Sequence, residues 1–107
     1  MWFDRYLPDG IGYEYFDAEG RIGIIDWYDK PHATITDLEA ITKGAGFGTM
    51  LVEIAVEKAR EEGMKKLVAT ADDTDEARGF WNSMDGLGFE KVSSRKFVLD
   101  LTETDHG

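Results

Sequence analysis

Lys43-Gly44-Ala45-Gly46-Phe47-Gly48-Thr49 joins a β-like run to a strongly helical one, and it sets three glycines and one cation at the junction. Glycine lets the backbone fold back without a Cβ clash, so successive N–H groups can converge at the positive end of the helix that follows. The residues predict an anion at this loop, a phosphate above all. A GxGxxG dinucleotide loop does not fit, because Thr49 stands in the third-glycine slot, and a Walker A loop does not fit, because no Gly-Lys-Ser/Thr follows. A tight strand-to-helix turn without ligand is the bland alternative.

Upstream of the loop, Ile11 to Phe16 and Arg21 to Tyr28 read as strands of a hairpin, closed by Asp17-Ala18-Glu19-Gly20 with glycine where a positive φ is needed. Asp29-Lys30-Pro31-His32 is a second turn, and Ala33 to Thr42 is a third strand. Three antiparallel strands thus precede the loop, after a short opening segment. Downstream the period changes: Leu51, Val52, Ala55, Val56 and Ala59 recur at helical spacing from Phe47 to Glu62, with Glu53, Glu57 and Glu61 on another face. Gly63 is the helix stop, and Leu67 to Ala71 is a short apolar strand, which makes a crossover unit with parallel neighbours. Asp72, Asp73 and Thr74 cap a second helix to about Met84, and two closing strands cover Phe89 to Val92 and Lys96 to Leu101.

A chain of 107 residues suits one domain, spanning residues 1–107, around one core. Its 42% hydrophobic content argues against disorder despite the charge. Without cysteine there is no disulfide, thiolate metal site or cysteine nucleophile, and two histidines, His32 and His106, do not make a metal cage, so no metal is expected. No apolar run reaches the length of a membrane span and the opening residues lack the order of a secretory signal, so a cytoplasmic protein with no membrane partner is expected. The net charge of −10 repels nucleic acid and favours cationic partners, although solubility explains it equally well.

The order of elements around Lys43 to Gly48 resembles the GNAT superfamily of N-acetyltransferases, whose acetyl-coenzyme A loop reads RxxGxG or QxxGxG. Lys43 takes the Arg/Gln position, and Gly46 and Gly48 match the two glycines. Ala77, Phe80 and Trp81 look like the family's alanine and aromatic pair, and Leu87-Gly88-Phe89 matches its frequent LGF ending. The resemblance implies an α/β (α+β) fold with a mixed central sheet of about six strands and two main helices, in the order β-β-β-loop-α-β-α-β-β. It covers Ala33 to Val92. The family's two helices between its first and second strands have no counterpart, so one sheet face is expected to lack cover and to pair with a second copy in a homodimer.

By the same resemblance, acetyl-coenzyme A is the cosubstrate. Lys43, Gly44, Ala45, Gly46, Phe47, Gly48 and Thr49 would cradle its pyrophosphate, and the pantetheine arm would lie between splayed parallel strands, Ala33 to Thr42 and Leu67 to Ala71. A backbone N–H at Ala40 or Ile41 would polarise the thioester carbonyl. The segment from Leu38 to Lys43 is about two residues shorter than the family's spacing, which leaves its acetyl-binding bulge open. Thr74 stands where an asparagine is frequent and would border the coenzyme with Trp81, which replaces the tyrosine that reprotonates the thiolate; indole is no general acid. An attacking amine must first lose a proton, and Asp37 and Glu39, alternate residues of the strand entering the loop, are the candidate bases, with solvent-facing strand polars as the plainer reading. Asp26 could equally line an acceptor pocket. The expected activity is acetyl transfer to a cationic amine on a small molecule or a protein, by direct attack in a ternary complex. A coenzyme A-binding module without activity, and an acidic protein-interaction module, remain the alternatives.

Overall fold

The Asp17 carboxylate accepts hydrogen bonds from the backbone N–H groups of Glu19 and Gly20, at 2.8 and 3.2 Å, and so closes the turn that sets the hairpin register. In this computed structural model, which describes residues 1–42 and 44–102, the turn joins β2 (Gly10–Asp17) to β3 (Gly20–Trp27). The register that follows sets Tyr13 opposite Ile24 and Glu14 opposite Gly23. Before them lies β1 (Trp2–Leu7), and after them β4 (Ala33–Ala40), α1 (Phe47–Glu61), β5 (Lys66–Thr70), α2 (Asp75–Asn82), β6 (Glu90–Lys91) and β7 (Lys96–Asp100).

The strands form one sheet in the order β1-β2-β3-β4-β5-β7-β6, in which only β4 and β5 run parallel. The mixed sheet and the two helices follow the expected class. The strand beyond the expectation is β1, in the segment read as a mere opening. As an edge strand it buries little on either side, so its sequence shows no clear alternation. A two-residue turn joins β1 to β2, with Leu7 paired to Gly10.

The apolar stripe of α1 (Leu51, Val52, Ala55, Val56, Ala59) is buried throughout. Burying a Leu or Val fully is worth about 1.5–3 kcal/mol, against under about 1 kcal/mol for helix propensity differences. Packing therefore decides this helix, and it lies on Ile22, Ile24, Ala33 and Ile35 of β3 and β4 in one shared core. Its end is a Schellman turn: Gly63, at φ 75, donates to the Arg60 carbonyl, while Met64 donates to that of Ala59 and is itself buried.

The second helix, α2, packs on the same sheet face. Its Trp81 stacks on Phe97 of β7 and meets Phe89 edge-on, and its Phe80 abuts the first turn of α1, where a Cβ on Gly48 would lie 3.0 Å from the Phe80 ring. Beyond Asn82 a 3₁₀ turn, Ser83–Leu87, replaces the last turn of the expected helix and buries Met84. By strand alternation the opposite face carries Phe3, Glu14, Phe16, Arg21, Gly23, Ile25, Trp27, Thr34, Thr36, Val68 and Val98. No helix among the described residues covers that face. The hairpin aromatics divide accordingly: Tyr13 and Tyr15 face the helices, Trp27 faces the other way and donates to Thr34 Oγ1 at 2.9 Å, and Tyr28 is exposed.

Candidate active site

Parallel pairing between β4 and β5 stops after Ala33–Leu67 and Thr34–Val68. Beyond that point the strands diverge and open a groove of about 820 Å³. One wall is β4 from Ile35 to Leu38 with Ala40; the other is Thr70, Asp72 and the inner side of α2; the floor ends at Gly44, Gly46, Gly48 and Thr49.

The helix end that closes the groove is built for an acceptor from outside. Gly46 is the N-cap of α1 in the left-handed region, φ 83, and it makes no side-chain cap, while Gly44 shares that conformation at φ 79. The first intrahelical bond is Met50 N–H to the Gly46 carbonyl at 3.1 Å. The N–H groups of Phe47, Gly48 and Thr49 precede it, and helix geometry gives them no partner within α1. No acidic side chain lies in the first turn. A Cβ at Gly44 or Gly46 would meet no atom within 4 Å, so the space beside these two glycines is open. Orphan donors, dipole and open space together suit a phosphate.

On the β4 wall, Arg21 pairs with Glu39 and Gly23 with Thr36, so Ile22 faces two residues, Asp37 and Leu38. This is a β-bulge. Asp37 takes φ 52, the only positive φ among the described non-glycine residues, in a conformation that Asp tolerates better than most. The bulge turns Asp37 into the groove wall while Leu38 packs on the core.

The expected donors separate here. Ile41 N–H donates to the Glu19 carbonyl at 2.8 Å, so it is taken up by the hairpin turn, and its exposed side chain does not line the groove. By alternation the Ala40 N–H points to the opposite, β5 edge, and Ala40 does line the groove.

Asp37 and Glu39 also part company. Glu39 pairs with Arg21 at 3.2 Å on exposed surface outside the groove. Asp37 instead neighbours the carboxyl of Glu14, which burial in the first place, and then Asp37 itself, raise above the usual carboxylate range. Glu14 and the polar wall residues Thr36, Thr70, Asp72 and Glu76 were not expected at the site from the sequence. For Glu14 a signal existed: the Asp17–Gly20 turn sets it opposite Gly23, an interior β3 position without a side chain to block it. Its partner depended on the bulge.

Of the other expected loop residues, Gly44, Gly46, Gly48 and Thr49 line the groove, Ala45 and Phe47 do not, and Lys43 lies outside the described residues. Thr74 lines it too, but its hydroxyl caps α2 by accepting from Ala77 N–H at 3.1 Å. Trp81 touches the groove with one edge; at 6% exposure it is a core residue, held among Phe80, Phe89 and Phe97. Asp26 lies elsewhere, in a smaller cavity with Lys30, His32 and Met64, where burial and then Glu62 raise its pKa. Among the described residues no cluster of His, Asp or Glu could hold a metal ion, and no helix is long and apolar enough to cross a membrane.

Two solved structures share this architecture. The anti-CRISPR protein AcrVA5 superposes with a TM-score of 0.66 over 83% of this chain and 98% of its own, at 24% identity. A GNAT-family acetyltransferase from Staphylococcus aureus Mu50 superposes with a TM-score of 0.60 over 86% of this chain and 68% of its own, at 13% identity. Likenesses at that identity establish the fold alone. No curated protein matches the chain. The model of the Acetyltransferase (GNAT) family matches residues 17–86, from the hairpin turn through both walls of the groove to the 3₁₀ turn after α2. With well over half its length matched, the chain belongs to the GNAT family of acetyltransferases, and the enzyme is an acyltransferase.

Proposed function

We propose that the enzyme transfers an acetyl group from acetyl-coenzyme A to an amine by direct attack in a ternary complex. The observation that carries this reading is the divergence of β4 from β5 onto the uncapped start of α1, which joins a slot for an extended arm to a cradle for a phosphate. Coenzyme A has both parts. Its pyrophosphate takes the amides of Phe47, Gly48 and Thr49, with Lys43 beside them in the sequence, and its pantetheine lies between the strands.

Within the groove the thioester comes level with the bulge. The Ala40 N–H faces the gap and stabilises the charge that develops on the thioester oxygen. Asp37 is the group positioned to take the proton of an incoming ammonium. The net charge of −10 and the acidic wall favour a cationic acceptor. Trp81, buried and without a hydroxyl, does not protonate the departing thiolate, which leaves that proton to water or to another wall residue. Two copies cover the helix-free face by pairing through it, where Phe3 and Phe16 meet edge-on and remain exposed.

Thiol release from acetyl-coenzyme A, followed with a panel of primary amines and lysine peptides, tests the reaction, and calorimetry tests the cosubstrate. Release that depends on the amine is expected. No binding of coenzyme A at millimolar concentration overturns the proposal.

A further inference from the structure

We propose that Glu14 positions Asp37 in the active groove, and that the two form one carboxyl pair which accepts the proton leaving the amine. The inference rests on the acetyl-transfer reading above and adds to it a residue from a strand that does not border the groove.

The two side chains meet because of one glycine. Glu14 stands opposite Gly23 of β3, and Thr36 stands opposite Gly23 from the other side. A Cβ on Gly23 would overlap both Glu14 Oε2 and Thr36 Oγ1. The missing side chain therefore opens a lane across β3, along which Glu14 reaches β4. There the bulge has already turned Asp37 out of the regular ladder and into the groove wall. The two features coincide at the place where the thioester is read to lie.

A hydrogen bond between two carboxyl groups requires a proton on one of them. Side by side, two carboxylates disfavour a second negative charge, so a proton gained by the pair is held by both. Burial and Asp37 raise Glu14, whereas Arg21 on β3 and Arg5 on β1 oppose that shift, and Arg21 is itself drawn to Glu39. The doubly ionised pair attracts an ammonium group and is a stronger base than a lone exposed carboxylate. The step balances as follows: the ammonium gives one proton to the pair, its lone pair forms the C–N bond, and the C–S bond breaks with its electrons on sulfur. The nitrogen sheds its second proton as the amide forms, the thiolate takes up one, and one is released to solvent.

Glu14→Gln keeps the shape of the side chain and a donor toward Asp37 but cannot titrate. Three measurements on purified protein test the pair: coenzyme A affinity by calorimetry, kcat against pH, and the carboxyl titration of Glu14 by carbon NMR in wild type and Asp37→Asn. The expected result is unchanged coenzyme A affinity, a kcat about a hundredfold lower with its acidic limb moved to lower pH, and a Glu14 midpoint that falls in Asp37→Asn. A Glu14→Gln enzyme with wild-type kcat and pH profile overturns the proposal while leaving acetyl transfer intact. So does a Glu14 midpoint indifferent to Asp37→Asn, a measurement that needs neither turnover nor the variant at position 14. Wild-type protein that binds no coenzyme A overturns the acetyl-transfer reading, and the role of the pair with it.

Discussion

Gly46 and Gly63 cap opposite ends of α1 in nearly the same backbone conformation, at φ 83 and φ 75, and a Cβ on either would meet no atom within 4 Å. Replacing each by alanine therefore imposes the same local penalty, about 1–2 kcal/mol for an L-residue held in the left-handed region. In a domain of this size each kcal/mol lowers Tm by about 4–8 °C, so the two variants should melt alike, well below wild type. They should differ in binding. The new methyl at Gly46 lies in the groove, at the helix start where the pyrophosphate is proposed to bind, and at Gly63 it lies in open space outside the groove. Losing one charge-assisted hydrogen bond costs about 1.5–3 kcal/mol, which is about a ten- to hundredfold rise in Kd. Calorimetric titration with coenzyme A, paired with thermal melts, reads both quantities. Gly46→Ala protein that binds as tightly as Gly63→Ala would refute the placement of the phosphate, because strain is matched between them and only the ligand's position distinguishes them.

Thr74→Ala removes the cap on Ala77 N–H and should cost about 1 kcal/mol of stability by urea unfolding; an unchanged midpoint would mean that the α2 start is held by other contacts. Tyr13 is buried against α1 and its pKa is pushed up to about 12, first by burial and then by Glu62. The folded state keeps its proton where the unfolded chain has lost it, so stability is level up to about pH 10 and falls by roughly 2–3 kcal/mol toward pH 12. Tyr13→Phe should remove that part of the alkaline loss, and an identical decline in the variant would dismiss Tyr13 as its source. Sedimentation equilibrium at high micromolar concentration should show a dimer; a monomer there would rule out pairing through the helix-free face.

The glycine loop and both helices were legible because each is written in local spacing. Three glycines in five residues, an apolar stripe at helical period, and a threonine three residues before Ala77 each act within a turn or two of chain. The hairpin was legible for the same reason, since Asp17 and Gly20 set its register by themselves. Trp81 was identified by position, but its burial among Phe80, Phe89 and Phe97 joins three separate segments.

What the sequence by itself determined is the class of fold, the glycine loop at the start of α1 and the presence of acidic groups beside it, all set by interactions along a few consecutive residues. Only the tertiary structure decided which of those groups enter the groove. Alternation alone treats Asp37 and Glu39 as equals, whereas the bulge sends Asp37 to Glu14 and leaves Glu39 to Arg21. The same pairing across strands spends the Ile41 amide on Glu19 and leaves that of Ala40 facing the gap. Which partner an amide or a carboxylate finds depends on residues brought alongside from distant strands, and a register shift of one residue there changes the answer without altering the local sequence.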